Sequence, residues 1–346
     1  MKFQIDKDYM ISCFKEIINV PSPSGYDVEL KPVLERYAKE LGEEITYDNR
    51  LTAYITLDGE DNSKTVMLSA HADTIGMVVR KIEGDGAIRI KRIGGLNLCG
   101  AEGASVTVHT RDGRKYSGIC YCQAHSTHVF SEATTMARDE DTMMILLDEP
   151  VKSKADVNAL GIFNGDFISV DPNLEITPNG YIKSRFIDDK ASIAVVFAVL
   201  KYLKENNIKP KYKTILAFPY HEEMGLGGSY IPDGISEFIA VDIGLIGPGL
   251  DGDEYSVSIC ARDAKTIHDF ELTTRLVNFA KKTDCKFAVD TFKVYASDAY
   301  AVLVAGHNLK TAVCGMAVYA SHGRERTHTD GLLATGNLLL AYLLDI

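Results

Sequence analysis

Helical periodicity in this 346-residue chain stops after Gly76 and returns only with Asp189, and that gap limits the folds open to it. Ahead of the gap, Met10, Cys13, Phe14, Ile17 and Ile18 recur at helical spacing, and Pro21-Ser-Pro-Ser-Gly25 then breaks the chain. Leu30, Leu34, Tyr37 and Leu41 form a second apolar stripe, and Tyr54–Leu57 and Thr65–Ser69 read as strands. Inside the gap, short apolar runs (Met77–Val79, Ala87–Ile90, Ser105–His109, Phe167–Val170) alternate with turns rich in glycine and Asp-Gly. Such spacing predicts a small β-barrel or sandwich. Beyond it come a helix over Asp189–Glu205, a buried strand Thr214–Phe218, a helix over Ile267–Lys281, a strand Thr311–Val318 and a C-terminal helix from about Gly331. The expected organisation is one α/β domain, residues 1–76 and 181–346, carrying an inserted β domain, residues 77–180.

Composition narrows the partners. The chain has 48 acidic and 37 basic residues, a formal charge of −11, and such a surface repels nucleic acid. The longest strongly apolar run, Ala191–Leu200, is about half a bilayer span, so no membrane association is expected. No apolar signal segment follows the N-terminus, and seven scattered cysteines do not suggest a disulfide framework. A cytoplasmic setting is expected. Cys120 and Cys122 read as strand residues packing inward.

Acidic and histidine residues then collect just after strand-like runs, where open α/β sheets build their sites. Ser69-Ala-His71-Ala-Asp73 has its His and Asp two apart, on one side of an extended chain. A carboxylate so placed can orient a histidine whose other ring nitrogen binds metal. Asp188-Asp189 opens a helix, either as its cap or as a bridge between cations. His221-Glu222-Glu223 follows the apolar strand Thr214–Phe218, and paired glutamates buried there are costly unless bound to something. One of the pair can hold metal while the other stays free as a general base. Asp242 lies within an apolar run, and His322 and His328 precede the last helix. Separately each has an ordinary structural explanation. Together they form a set of nitrogen and oxygen ligands suited to two cations sharing a carboxylate.

This ordered set resembles the dinuclear metallopeptidases of clan MH, and within them the tetrahedral, or glutamyl (deblocking), aminopeptidases. The resemblance rests on SAHADTIGMVV, RFIDDKASIAVV, PYHEEMGLGGS, AVDIG and ASDAYAV, and covers nearly the whole chain. It implies a mixed-sheet α/β sandwich with helices on both faces, with the insertion as a dimerisation barrel. Carried over, His71 and Asp242 hold one divalent metal, Glu223 and His328 the other, and Asp188 bridges them. Glu222 is then the general base for a water activated by the cations, and Asp73 orients His71. The family also implies a cis bond between Asp188 and Asp189, with Asp188 as the bridge. Zinc is the first choice of metal, with cobalt or manganese as alternatives. The implied activity removes N-terminal residues from peptides. The implied assembly is a homo-oligomer built from dimers, with twelve chains.

The last ligand departs from the family pattern, because two histidines compete. Arg326, His328 and Thr329 reproduce the flanking residues of the family's final ligand, which favours His328 and leaves His322 and the Arg324/Glu325 pair on the surface or along the pocket wall. His221 reads as a bystander and His128 as a loop histidine. Other readings are a related carboxypeptidase or deacylase, and a non-catalytic scaffold that retains the fold. A serine triad lacks a nucleophile elbow.

Overall fold

In the computed structural model, which describes residues 2–346, four parallel strands form the middle of a mixed sheet. Tyr212–Phe218, Asp61–Ser69, Ile235–Val241 and Lys310–Val318 lie side by side in that order. Ala53–Leu57 extends the sheet antiparallel on one side. On the other side, Val257–Arg262 pairs antiparallel with Lys310–Val318, and Phe287–Thr291 lies parallel beyond it. With the short strands Thr46–Tyr47 and Gly244–Leu245, the sheet has nine strands among the described residues.

The middle strands are apolar nearly throughout because both faces are covered. Their residues alternate between two cores. Leu68, Leu216, Phe218, Ile239 and Val241 pack with the helices Lys7–Ile18, Leu30–Glu40, Ile187–Glu205, Phe270–Lys282 and Thr329–Leu344. Met67, Ile215, Ala217, Phe238 and Ala240 pack against the short helix Asp298–Val304 and neighbouring loops. Helices thus cover both faces, unequally. Ile187–Glu205 is buried almost all round, with fifteen buried residues, so its apolar positions do not form a narrow stripe.

The insertion closes into a six-stranded barrel in the order Gly76–Ile82, Ile88–Ile93, Met143–Leu147, Lys115–Cys122, Ser105–His109 and Phe167–Val170. Cys120 and Cys122 face inward, fully buried. Sequence periodicity missed the full extent of Lys115–Cys122 and the strand Met143–Leu147, and the helix predicted from Ile267 begins at Phe270, capped by Asp269. A third, three-stranded sheet joins Glu175–Ile176, Tyr181–Ser184 and Glu325–His328. Its last strand carries His328 along one flank of the large sheet. No helix of the described chain is long and apolar enough to cross a membrane.

Candidate active site

All four middle strands end on the same side, and each delivers part of one cluster. His71 and Asp73 follow Asp61–Ser69, Glu222 and Glu223 follow Tyr212–Phe218, Asp242 follows Ile235–Val241, and His322 follows Lys310–Val318. Asp188 comes from the first turn of the central helix. There Phe186 adopts a left-handed conformation (φ 67°), and the Asp188–Asp189 peptide is cis, the isomer expected from the family resemblance.

Asp188 stands between two histidines. Its Oδ1 is 3.0 Å from His71 Nε2, and its Oδ2 is 3.6 Å from His322 Nε2. Glu223 Oε2 lies 3.5 Å from His322 Nε2, and Glu222 Oε2 lies 3.8 Å from His71 Nε2. Asp189 Oδ2 accepts the His71 backbone N–H at 3.0 Å. A cavity of about 570 Å³ opens onto Asp188, Glu222, Glu223, Asp242 and His322, walled by Leu245, Tyr295 and Tyr300.

The surrounding shell explains why these side chains hold their places. His71 Nδ1 meets the Asp73 backbone carbonyl at 2.9 Å, while the Asp73 carboxylate stands farther off, at 3.6 Å. Donation from Nδ1 leaves Nε2 free to act as a ligand. The sequence expectation that Asp73 orients His71 is therefore refined: the main-chain carbonyl makes the close contact. The Asp73 carboxylate fixes the glutamate loop instead, accepting from Glu222 N at 3.0 Å and Glu223 N at 3.1 Å, with Ser24 Oγ as a third donor. Asp298, from the ASDAYAV segment, accepts from Gly228 N at 2.7 Å and pins the next turn of that loop.

The charge balance is lopsided. Burial, reinforced by neighbouring acids, raises the carboxyls of Glu222 and Glu223 well above their ordinary range and Asp242 to about 7. Burial alone would raise Asp188 too, but contact with His71 holds it below its ordinary value. Burial pulls His71 down, and Asp188, Asp73 and Glu222 overcome it, so the imidazole is raised well above its ordinary value. So many acids taken out of water with so few cations form a poor structure by themselves and a good cage for positive ions. The donor chemistry fits divalent metals. His71, Asp188 and Glu223 each offer a ligand atom within 4.8 Å of one another, and so do His71, Asp189 and Asp242.

The structure corrects the expectation for the last histidine: His328 is not in this cluster. Its Nε2 meets the Asn179 carbonyl at 2.7 Å, and its Nδ1 accepts from Asp330 N at 3.0 Å, capping the C-terminal helix. Its ring packs on Tyr181 and Tyr255. Both nitrogens are thus occupied, because pairing of Glu325–His328 with Tyr181–Ser184 draws it away. His322 lies in the cluster instead, its Nε2 beside Asp188 and Glu223.

Glu325 is a second correction. It is 1% exposed, and its carboxylate accepts from Asp188 N at 3.1 Å and His322 N at 3.3 Å. The sequence expectation put it with Arg324 on the surface or along the pocket wall; burial behind Asp188 and His322 places it in the supporting shell instead. The barrel also reaches the site, which the sequence pattern did not reveal. A β-carbon on Gly95 would stand 2.6 Å from His322 Nδ1, and one on Gly94 would stand 2.9 Å from Glu223 Oε2. Asn97 N donates to the His322 carbonyl at 3.0 Å. The Gly94-Gly95 pair was the available signal, read only as a turn. His221 is partly exposed and His128 exposed.

Comparison with known proteins agrees with this architecture. Residues 52–338 match the family described as M42 glutamyl aminopeptidase. The chain is 39% identical over 330 residues to YhfE of Bacillus subtilis, which carries a provisional aminopeptidase name, with 95% of each chain covered. In fold it is similar to aminopeptidase APDkam598 of the archaeon Desulfurococcus kamchatkensis, with a TM-score of 0.88 at 22% identity, covering 98% of this chain and 96% of that one. It is also similar to the TET1 peptidase of Pyrococcus horikoshii, with a TM-score of 0.85 at 20% identity, covering 97% and 100%. With the match spanning most of its length, the chain belongs to the M42 glutamyl aminopeptidase family and is an aminopeptidase, a hydrolase of peptide bonds.

Proposed function

We infer that this aminopeptidase removes N-terminal residues from peptides at a two-metal centre with Glu222 as its general base. The carrying observation is the position of Asp188 between His71 and His322, with Glu223 on the His322 side. His71 and Asp242 would hold one divalent ion, Glu223 and His322 the other, and Asp188 both. Bound there, the ions supply Lewis acidity to the scissile carbonyl and to water. Glu222 faces the cavity and makes no side-chain hydrogen bond among the described residues, so its carboxylate is free to take the proton of the attacking water and return it to the leaving amine. Gly95 lines the cavity on the barrel side. Zinc is the ion we expect first, with cobalt or manganese able to replace it.

Related structures support a multichain assembly: the Pyrococcus horikoshii TET1 peptidase can assemble into a tetrahedron or a large octahedral shell. We read residues 77–180 as the dimerisation domain, the whole chain as part of such a homo-oligomer of twelve subunits, and its setting as cytoplasmic.

The test is a panel of aminoacyl-amide substrates assayed with zinc, cobalt and manganese, beside metal analysis of the wild type and Glu222→Gln. The expected result is two ions per chain in both proteins and a loss of turnover in the variant on the order of 10²–10⁴. A variant with near wild-type turnover would overturn the role given to Glu222. Wild type that hydrolyses N-terminally blocked but not N-terminally free peptides would overturn the aminopeptidase reading.

A further inference from the structure

A second cavity, of about 240 Å³, lies at the seam between the barrel and the catalytic domain. Lys190 lines it and is 1% exposed. Its ammonium donates to the Val20 carbonyl, and no carboxylate stands within ion-pair distance of it among the described residues. Glu29, the acid whose charge reaches it, is already paired with Lys115 at 2.7 Å and accepts from the Tyr26 hydroxyl at 3.0 Å. An ammonium carries three donors, of which one is met here. Burial without a counter-ion disfavours that charge and lowers the Lys190 pKa to about 7, and the cost falls when an anion enters beside it.

The remaining walls offer hydroxyl donors from both bodies of the protein. Thr74 faces the cavity from the catalytic domain, and Ser105, Thr107 and Ser117 face it from the barrel. None of these four side chains makes a hydrogen bond within the protein among the described residues. The one acidic wall residue, Asp171, is exposed and turns Oδ1 to the Asn173 backbone N–H at 2.6 Å. The lining is the reverse of the catalytic cavity, which is faced by four carboxylates.

We propose that the seam cavity binds a small tetrahedral oxyanion of the phosphate class, with Lys190 as its counter-ion and the Thr74 and Thr107 hydroxyls as donors from the two domains. Spread donors on opposite walls suit a tetrahedral ion with several acceptor oxygens better than a halide. An ion held this way links the barrel to the segment that carries Asp188. The proposal does not depend on the reading of the catalytic reaction.

The experiment uses the metal-loaded full chain. Melting is followed while phosphate, sulfate or selenate replaces chloride at constant ionic strength up to about 50 mM, in wild type, Lys190→Met and Thr107→Val. The expected result is a saturable rise in Tm for the wild type, no rise for Lys190→Met, and a midpoint moved several-fold higher for Thr107→Val. Selenate-soaked crystals are expected to give an anomalous peak within hydrogen-bond distance of Lys190 Nζ. A rise of equal size in Lys190→Met, or a selenate peak at the metal ligands alone, would overturn the proposal. If Lys190→Met fails to fold, the Thr107→Val midpoint and the selenate peak decide the question.

Discussion

The buried carboxylate of Glu325 holds Asp188 from behind, accepting its backbone N–H at 3.1 Å, while its other oxygen receives the His322 N–H at 3.3 Å. One side chain therefore fixes two neighbouring groups of the cluster, although it reaches neither with an ionic contact. Partners of this outer kind are typically worth 10–100-fold in metal affinity. Glu325→Leu is expected to lose affinity by about that factor. Glu325→Gln, which keeps an acceptor oxygen, is expected to lose less. Chelator competition on both variants reads the result, and equal affinities across wild type and variants would refute the positioning role.

Gly95 brings the barrel against the site. Its missing β-carbon leaves room for the His322 ring, and the residue that follows two positions on, Asn97, anchors the His322 backbone. Gly95→Ala is expected to push the ring aside and to halve the bound metal while the barrel stays folded. Metal analysis with circular dichroism checks this. A variant that keeps two ions and full activity would show that the loop yields easily.

The two late histidines are expected to separate cleanly. His322→Ala should lose one ion and most of the activity while keeping its melting temperature near that of the metal-depleted wild type. His328→Ala should keep both ions and lose about 1 kcal/mol of stability, the usual worth of a helix cap. Metal counts and melting curves for the pair decide between them, and loss of an ion in His328→Ala alone would reverse the assignment.

Acid should weaken the seam between the two bodies. His109 of the barrel is buried, with Nε2 2.8 Å from Ser169 Oγ and its ring on Tyr26. Burial lowers its pKa from 6.5 to about 4, and Lys115 adds to the lowering while Glu29 opposes it. Because the folded value is depressed, the unfolded chain binds the proton first. Stability is then lost as pH falls from about 6.5 toward about 4, by about 1.36 kcal/mol for each pH unit between the two values. Denaturant curves at pH 7 and pH 4.5 measure that loss, which is expected to be smaller for His109→Gln than for wild type. Equal losses in both would place the acid sensitivity elsewhere.

Much of this protein was legible in the chain itself. Strand ends announced themselves because parallel strands buried on both faces are short apolar runs, and an acid or histidine directly after such a run can reach only the crevice beyond the sheet. That is why His71, Glu222, Glu223 and Asp242 could be picked out, while Asp188 stood out as half of an acidic pair opening a helix. The choice between His322 and His328 was different. Local pattern favoured His328, since flanking residues are all that a sequence offers there. The tertiary structure brings His322, not His328, into the cluster, because Glu325–His328 finds a partner strand in Tyr181–Ser184, more than a hundred residues earlier, and that pairing turns His328 into a helix cap. The same holds for Glu325, Gly95 and Lys190. Each matters through what a distant segment brings against it, a relation of space between residues that no local spacing along the chain encodes.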